Sequence, residues 1–300
     1  MPGIVSAGTN DAPNAYSQTE LKIIARDLFS KKGRDFGRLL DVFDNSLIDS
    51  RHFINSLEWF EASKSFKERS ISYAENVVEL SLPAIRSCIE SAEADYGEFD
   101  HIIFVTSTGI SAPSADALIL NGLKLDRHVK RTPIWGLGCA GGAAGMSRAF
   151  EYAKAFPESA VLLVAVEMCS LAFQDNDYSK SNVVSLALFS DGAAAVLVAG
   201  EKHRLYGKAK ARMRRTLSTT WPDTLDIMGW EIVDDGFKAI FSKDIPSIVK
   251  SRVRENIDEL LCPHGLAAAD IGHLAVHPGG TKVLSELEAA VGREKRKFRH

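Results

Sequence analysis

Trp135-Gly136-Leu137-Gly138-Cys139-Ala140-Gly141-Gly142-Ala143-Ala144-Gly145 is the stretch on which the reading of the fold turns. An apolar run at 132–137 precedes it, and a helical pattern at 143–156 follows, so it reads as strand, tight turn at 138–142, helix. A thiol at a helix N-terminus feels the positive end of the macrodipole and unsatisfied N–H groups, both of which favour the thiolate. The flanking glycines permit a strained turn and remove side chains that would block an approaching reactant. Taken alone, Cys139 reads first as a packing cysteine in a glycine-rich helix contact. The surrounding sequence decides between the two.

Upstream, 73–94 is a long helical pattern, with Val77, Leu80, Ala84, Ile85, Cys88 and Ala92 at three- and four-residue steps. The run 99–106 then reads as a buried strand ending in Ser107-Thr108-Gly109. Much later the order recurs: a helical pattern over 245–261, then an apolar run at 271–277 that ends in Gly279-Gly280. This is a weak internal repeat of helix, turn, strand, glycine. Between the two copies, 114–123 reads as a helix, and 160–166, 183–189 and 193–198 as strands. Asp191-Gly192 reads as a hairpin turn between the last two. A final helix is expected over 282–290. Alternating strands and helices of these lengths predict an α/β protein with helices on both faces of a sheet. The repeat divides it into an N-terminal half, 1–205, carrying Cys139, and a partial C-terminal half, 206–300, carrying His277.

Composition narrows the function classes. With 45% apolar and 25% charged residues, the 300-residue chain is neither disordered nor fibrous. A net charge of −3 marks it as neither a nucleic-acid nor a membrane-surface binder. The most apolar stretch, 160–166, is far short of a membrane span. The N-terminus has no signal-peptide pattern, and four cysteines without CxxC spacing are expected to be reduced thiols, which together predict a cytoplasmic protein.

Two further motifs join Cys139. His277, in Ala275-Val276-His277-Pro278-Gly279-Gly280, leaves the end of an expected strand just before a proline–glycine turn. A histidine there can stabilise a thiolate or donate to an oxyanion, although a strand-end histidine is also a common structural residue. Phe189, in Phe189-Ser190-Asp191-Gly192-Ala193-Ala194-Ala195, reads otherwise as core packing.

Together, Gly138-Cys139-Ala140-Gly141-Gly142, the Phe189 motif and His277-Pro278-Gly279-Gly280 resemble the type III polyketide synthases, the chalcone and stilbene synthase family, over about 4–292. Gly229-Trp230 and Asp244-Ile245-Pro246 add to the likeness, and the wording around Cys139 is similar to the bacterial branch. The resemblance implies a thiolase-like αβαβα layered fold of two similar halves, working as a homodimer. It also implies an acyltransferase that condenses an acyl-CoA starter with malonyl-CoA through a Cys-bound thioester, without metal or prosthetic group. Cys139 would be the nucleophile. His277, with Gly279 and Gly280 in its turn, would hold the thiol ionised and bind the malonyl thioester carbonyl. Phe189 would gate the coenzyme A tunnel. The family's second gate phenylalanine falls at Ala239, where a small residue would widen the cavity for fatty acyl starters. Ala112 holds the position from which the family sends a side chain across the dimer interface. Arg51 is the candidate phosphate contact at the tunnel mouth, with a solvated surface arginine as the alternative.

One departure from the family's pattern follows His277. The family completes its triad with an asparagine in a later Gly-Asn turn, whereas here 23 residues follow His277 and none is asparagine. By the repeat, the later part of the first half has no counterpart in the second, where on the order of 70 residues, including at least two core strands, are expected to be missing. The expectation is therefore a C-terminally truncated, impaired synthase, its basic 293–300 tail reading as a frameshifted or prematurely ended end rather than a nucleic-acid patch. Two alternatives remain: a non-catalytic fragment binding acyl-CoA or a full-length partner, and a ketoacyl-synthase-III-like condensing enzyme.

Overall fold

A computed structural model describes residues 1–30 and 37–291; the basic tail at 293–300 lies outside the described residues. The chain runs β1 (Gly3–Asp11), β2 (Asn14–Ser17), α1 (Gln18–Ser30), α2 (Gly37–Asn45), β3 (Ser50–Phe53) and α3 (Phe66–Ala92). It continues through β4 (His101–Thr106), α4 (Ala115–Gly122), β5 (Lys130–Trp135), α5 (Gly141–Ala155), β6 (Ala160–Met168), α6 (Lys180–Leu188) and β7 (Asp191–Ala199). The remaining elements are β8 (Ala211–Arg212), β9 (Met228–Val233), β10 (Gly236–Phe241), α7 (Ile245–Leu261) and α8 (Thr281–Ala290). Six strands form one mixed sheet in the order β5-β4-β6-β7-β1-β8, with β4 parallel to β5 and β6. β7 joins β6 and β1 antiparallel. No helix among the described residues is long and apolar enough to cross a membrane.

The continuous apolar run of β4 follows from burial on both faces. Ile102 and Phe104 pack toward α3 with Leu162 and Val164 of β6, while Ile103 and Val105 pack with Leu163 toward Ala149 and Ala153 of α5. α3 begins at Phe66, earlier than the apolar pattern predicts, because Ser65 and Glu68 form a reciprocal capping box that extends it by two turns. It also lies close on β1: a Cβ on Gly8 would sit 2.3 Å from the Ala84 carbonyl oxygen. β1 itself, absent from the sequence reading, is a full-length strand of the sheet between β7 and the short β8.

Three expectations need correction. The 183–189 run is helix α6, not a strand: Ser179 caps it, accepting from the Asn182 N–H at 3.2 Å, and a short apolar run does not distinguish a buried helix from a strand. Asp191-Gly192 is no hairpin turn. Asp191 opens β7 and is 2% exposed, its carboxylate accepting from the Ile54 and Ser170 N–H groups at 2.7 Å each. Finally, 271–277 is not a strand. β4 is flanked by β5 and β6, but among the described residues no strand pairs with 271–277, so its backbone has no ladder to join.

Candidate active site

β5 ends at Trp135, and the chain turns through Gly136 (φ +84°) and Gly138 (φ +50°), left-handed conformations that favour glycine. A single 3₁₀ turn, Gly138–Ala140, carries Cys139 into α5. Gly141 and Gly145 serve a different end. A Cβ on Gly141 would meet Val105 Cγ1 at 2.6 Å and one on Gly145 would meet Leu163 Cδ1 at 2.5 Å, so α5 lies directly on β4 and β6. The turn is pinned where the Gly138 N–H donates to Ser107 Oγ at 2.8 Å. Cys139 is thereby presented, exposed, at the ends of β4, β5 and β6.

Its electrostatics oppose the sequence expectation. Solvent reaches the residue, yet enough protein surrounds the thiol that desolvation raises its pKa, and the Glu167 carboxylate raises it further. Glu167, at the end of β6, accepts from the Ser107 N–H at 3.0 Å and the Thr108 hydroxyl at 2.7 Å. Burial outweighs those bonds and pushes its carboxyl up to about 7. Cys169, two residues on, is held well above the ordinary thiol range by burial and then by Glu167 and Asp191. The sequence reading missed Glu167; its signal was an acidic residue ending a continuous apolar strand.

Phe189 follows the last turn of α6. Its ring lies 5.9 Å from that of Trp230 and 5.4 Å from that of Phe241, on the β9–β10 hairpin. Ala239, on β10 opposite Trp230, is 8% exposed. On another side Phe189 lines a cavity of about 350 Å³ with Cys169, Phe53, Phe60, Ile24 and Leu186; Ala239 does not line it. Arg51 departs from both sequence readings. It is 5% exposed, not solvated or at a tunnel mouth, and donates from Nε (3.1 Å) and Nη2 (2.6 Å) to the Ala187 carbonyl at the end of α6. Desolvation there lowers its pKa to about 10. Gln18 Nε2 donates to the same oxygen at 2.8 Å.

His277 is exposed, in the irregular segment before α8, and desolvation lowers its pKa. Its turn reaches the site from the Phe189 side: a Cβ on Gly280 would lie 4.0 Å from Leu188 Cδ1, and the Gly279 N–H donates to the His277 carbonyl at 2.9 Å. Among the described residues no hydrogen bond joins His277 to Cys139. Ala112 is exposed in the loop before α4, away from these groups in sequence.

Residues 54–202 match the family described as "Chalcone and stilbene synthases, N-terminal domain". The chain is 40% identical to the Bacillus subtilis (strain 168) "Putative chalcone synthase" over 97% of its own length and 82% of that protein's. It is 33% identical to the 1,3,6,8-tetrahydroxynaphthalene synthase of Streptomyces peucetius subsp. caesius, over 93% of this chain and 73% of that one. The chain belongs to the chalcone and stilbene synthase family. Among solved structures, the 1,3,6,8-tetrahydroxynaphthalene synthase of Streptomyces coelicolor A3(2), a bacterial type III polyketide synthase, superposes with a TM-score of 0.89 at 26% identity, covering 97% of this chain and 82% of that one. The fold of this chalcone and stilbene synthase family member is therefore the α/β thiolase-like fold, and Cys139 stands in its family's condensing-enzyme scaffold.

Proposed function

We propose that the protein transfers an acyl group from an acyl-CoA starter to Cys139 and extends it with malonyl-CoA, as a homodimer whose interface includes the exposed Ala112 loop. The observation that carries this reading is Cys139 itself, held exposed at the ends of three strands by a turn whose two left-handed positions are glycines. In the first step the Cys139 proton passes to a base, for which the His277 ring, kept neutral by desolvation, is the candidate. Sγ then attacks the thioester carbonyl, and coenzyme A leaves as its thiol. In the second, malonyl-CoA loses CO2 to give an acetyl-CoA enolate stabilised by a donor from the His277 turn. The enolate carbon attacks the Cys139-bound carbonyl, a C–C bond forms, and the thiolate leaves.

Intact-mass measurement after incubation with acyl-CoA, then with malonyl-CoA, separates these steps. An acyl adduct on the wild-type chain and none on Cys139→Ala is expected; no adduct on either overturns the proposal. A second reading, acyl-CoA binding and acylation without extension, is favoured by α7 and α8, neither of which buries a residue beside the His277 segment. Acylation with no malonyl-derived product at any enzyme concentration is its signature.

A further inference from the structure

Arg51 is a buried cation that the proposed chemistry does not use, and among the described residues no carboxylate forms an ion pair with it. Its Nε and Nη2 converge instead on the Ala187 carbonyl oxygen, where Gln18 Nε2 supplies a third donor. In a continuing helix that oxygen would accept from the Asp191 N–H. Here α6 stops at Leu188, Phe189 is extended (φ −86°, ψ 148°) and Asp191 opens β7. A glycine after the last turn would end a helix without burying a charge. The chain beyond Phe189 is held from the same strand. The His52 N–H donates to Ser190 Oγ at 2.9 Å, Ser190 Oγ donates to the His52 carbonyl at 3.1 Å, and the Ile54 N–H donates to the Asp191 carboxylate at 2.7 Å. β3 and the residue after it thus grip the backbone on both sides of Phe189 and leave its ring projecting between two anchored ends. The ring projects where the parts of the proposed site meet. Phe189 shares a cavity wall with Cys169, and Leu188 Cδ1 lies 4.0 Å from where a Cβ on Gly280, in the His277 turn, would sit.

We infer that Arg51 is a positioning residue for acyl transfer to Cys139: by taking the Ala187 carbonyl it ends α6 at Leu188 and holds the Phe189 ring between the Cys169 turn and the β9–β10 hairpin. The inference rests on the acyl transfer proposed above and adds to it a residue that acts through the backbone of α6. The choice of arginine follows from geometry. Two N–H groups of a planar fork meeting one oxygen fix the direction of the carbonyl as well as its distance, whereas a lysine ammonium fixes the distance alone. The negative end of the α6 dipole lies at the same place and stands in for a counter-ion. Without the fork, helical and extended geometry compete at Phe189, and its ring loses its single placement. Misplacing a group at a reacting centre by about 1 Å can cost on the order of 10²-fold in rate.

Two measurements on the full chain test this. With 4-fluorophenylalanine placed at position 189, the fluorine NMR spectrum of the otherwise wild-type protein should show one resonance, and Arg51→Gln should add a second from the ring's other placement. The initial rate of Cys139 acylation by butyryl-CoA, read by intact mass, should fall about tenfold in Arg51→Gln. In a Phe189→Leu background the same substitution should change the rate by less than about twofold, because the ring it places is gone. If Arg51→Gln does not fold, Arg51→Lys, which keeps the charge without the fork, carries both measurements with the same expected directions. An unaltered single resonance, or an equal fall in rate with and without Phe189, overturns the inference while leaving acyl transfer standing. No adduct on the wild-type chain overturns the proposed function, and the fluorine spectrum then decides by itself whether Arg51 places the ring.

Discussion

Residues 99–106 and 271–277 carry nearly the same message: a long amphipathic helix, a turn, an apolar run, a glycine. In the first copy the run is β4, buried along its whole length between β5 and β6, with α3 on one face and α5 on the other. In the second the run is irregular and four of its seven residues are exposed, and the helices beside it, α7 and α8, bury no side chain. The difference teaches that an apolar run specifies a strand only as far as neighbours exist to take its hydrogen bonds and cover its faces. Propensity is shared by both copies, and context separates them.

The strongest way to break this comparison is to delete matched side chains. Ile103→Ala removes a fully buried group between α5 and β6 and should cost about 2–5 kcal/mol by urea denaturation. Val276→Ala, half-exposed in the second copy, should cost under about 0.5 kcal/mol. Equal losses would mean that 271–277 is as well packed as β4.

Acid–base behaviour sharpens the contrast next, because burial in the N-terminal half reaches a carboxyl at the end of an interior strand. Glu167 is raised from 4.5 to about 7. The folded state therefore binds its proton more tightly than the unfolded chain does. The stabilising contribution is complete below pH 4.5 and is lost as the pH rises through 7. The loss is of order 3 kcal/mol for a shift of that size. Glu167→Gln keeps an acceptor for Ser107 and Thr108 and should flatten the urea midpoint between pH 5 and 8. A wild-type midpoint that rises over that interval would contradict the burial argument.

Glycines give a smaller and more local test. Gly8→Ala drives a methyl into the Ala84 carbonyl of α3, where backbone cannot yield, and should cost about 1–3 kcal/mol. Gly229→Ala, in β9 with nothing within 4 Å, should instead stabilise by up to about 1 kcal/mol.

These contrasts also show what the sequence disclosed. β4, β5, β6, α5 and the glycine turn at Cys139 were legible because each couples a periodic apolar pattern to turn residues at its end. α6 was misread, since Val183 to Leu188 is apolar enough to be buried in either conformation and only the Ser179 cap tips it to helix. β1 was missed because alternating small and polar residues mask a strand whose Gly8 exists for close helix contact. The site divides likewise. Cys139 and Phe189 stand out by motif. Glu167 and the true partner of Arg51 depend on strands and helices far apart in the chain, which no local pattern encodes.

The smallest expected effect concerns Cys139 and asks which of two fields governs it. A helix N-terminus favours the thiolate, whereas desolvation first and then the Glu167 carboxylate raise the thiol's pKa. α5 begins only at Gly141, so Cys139 stands just ahead of its first turn, while Glu167 acts across the neighbouring strand ends through protein rather than water. Glu167→Gln should therefore increase the iodoacetamide labelling rate of Cys139 at pH 8 by about two- to fivefold, through a larger thiolate fraction. Cys262, exposed just beyond α7, serves as the internal reference and should label at an unchanged rate. At pH 5, where Glu167 is mostly protonated, the two proteins should label Cys139 equally slowly. If the rates match at pH 8 as well, desolvation alone holds the thiol up, and the carboxylate beside it has no part in setting its reactivity.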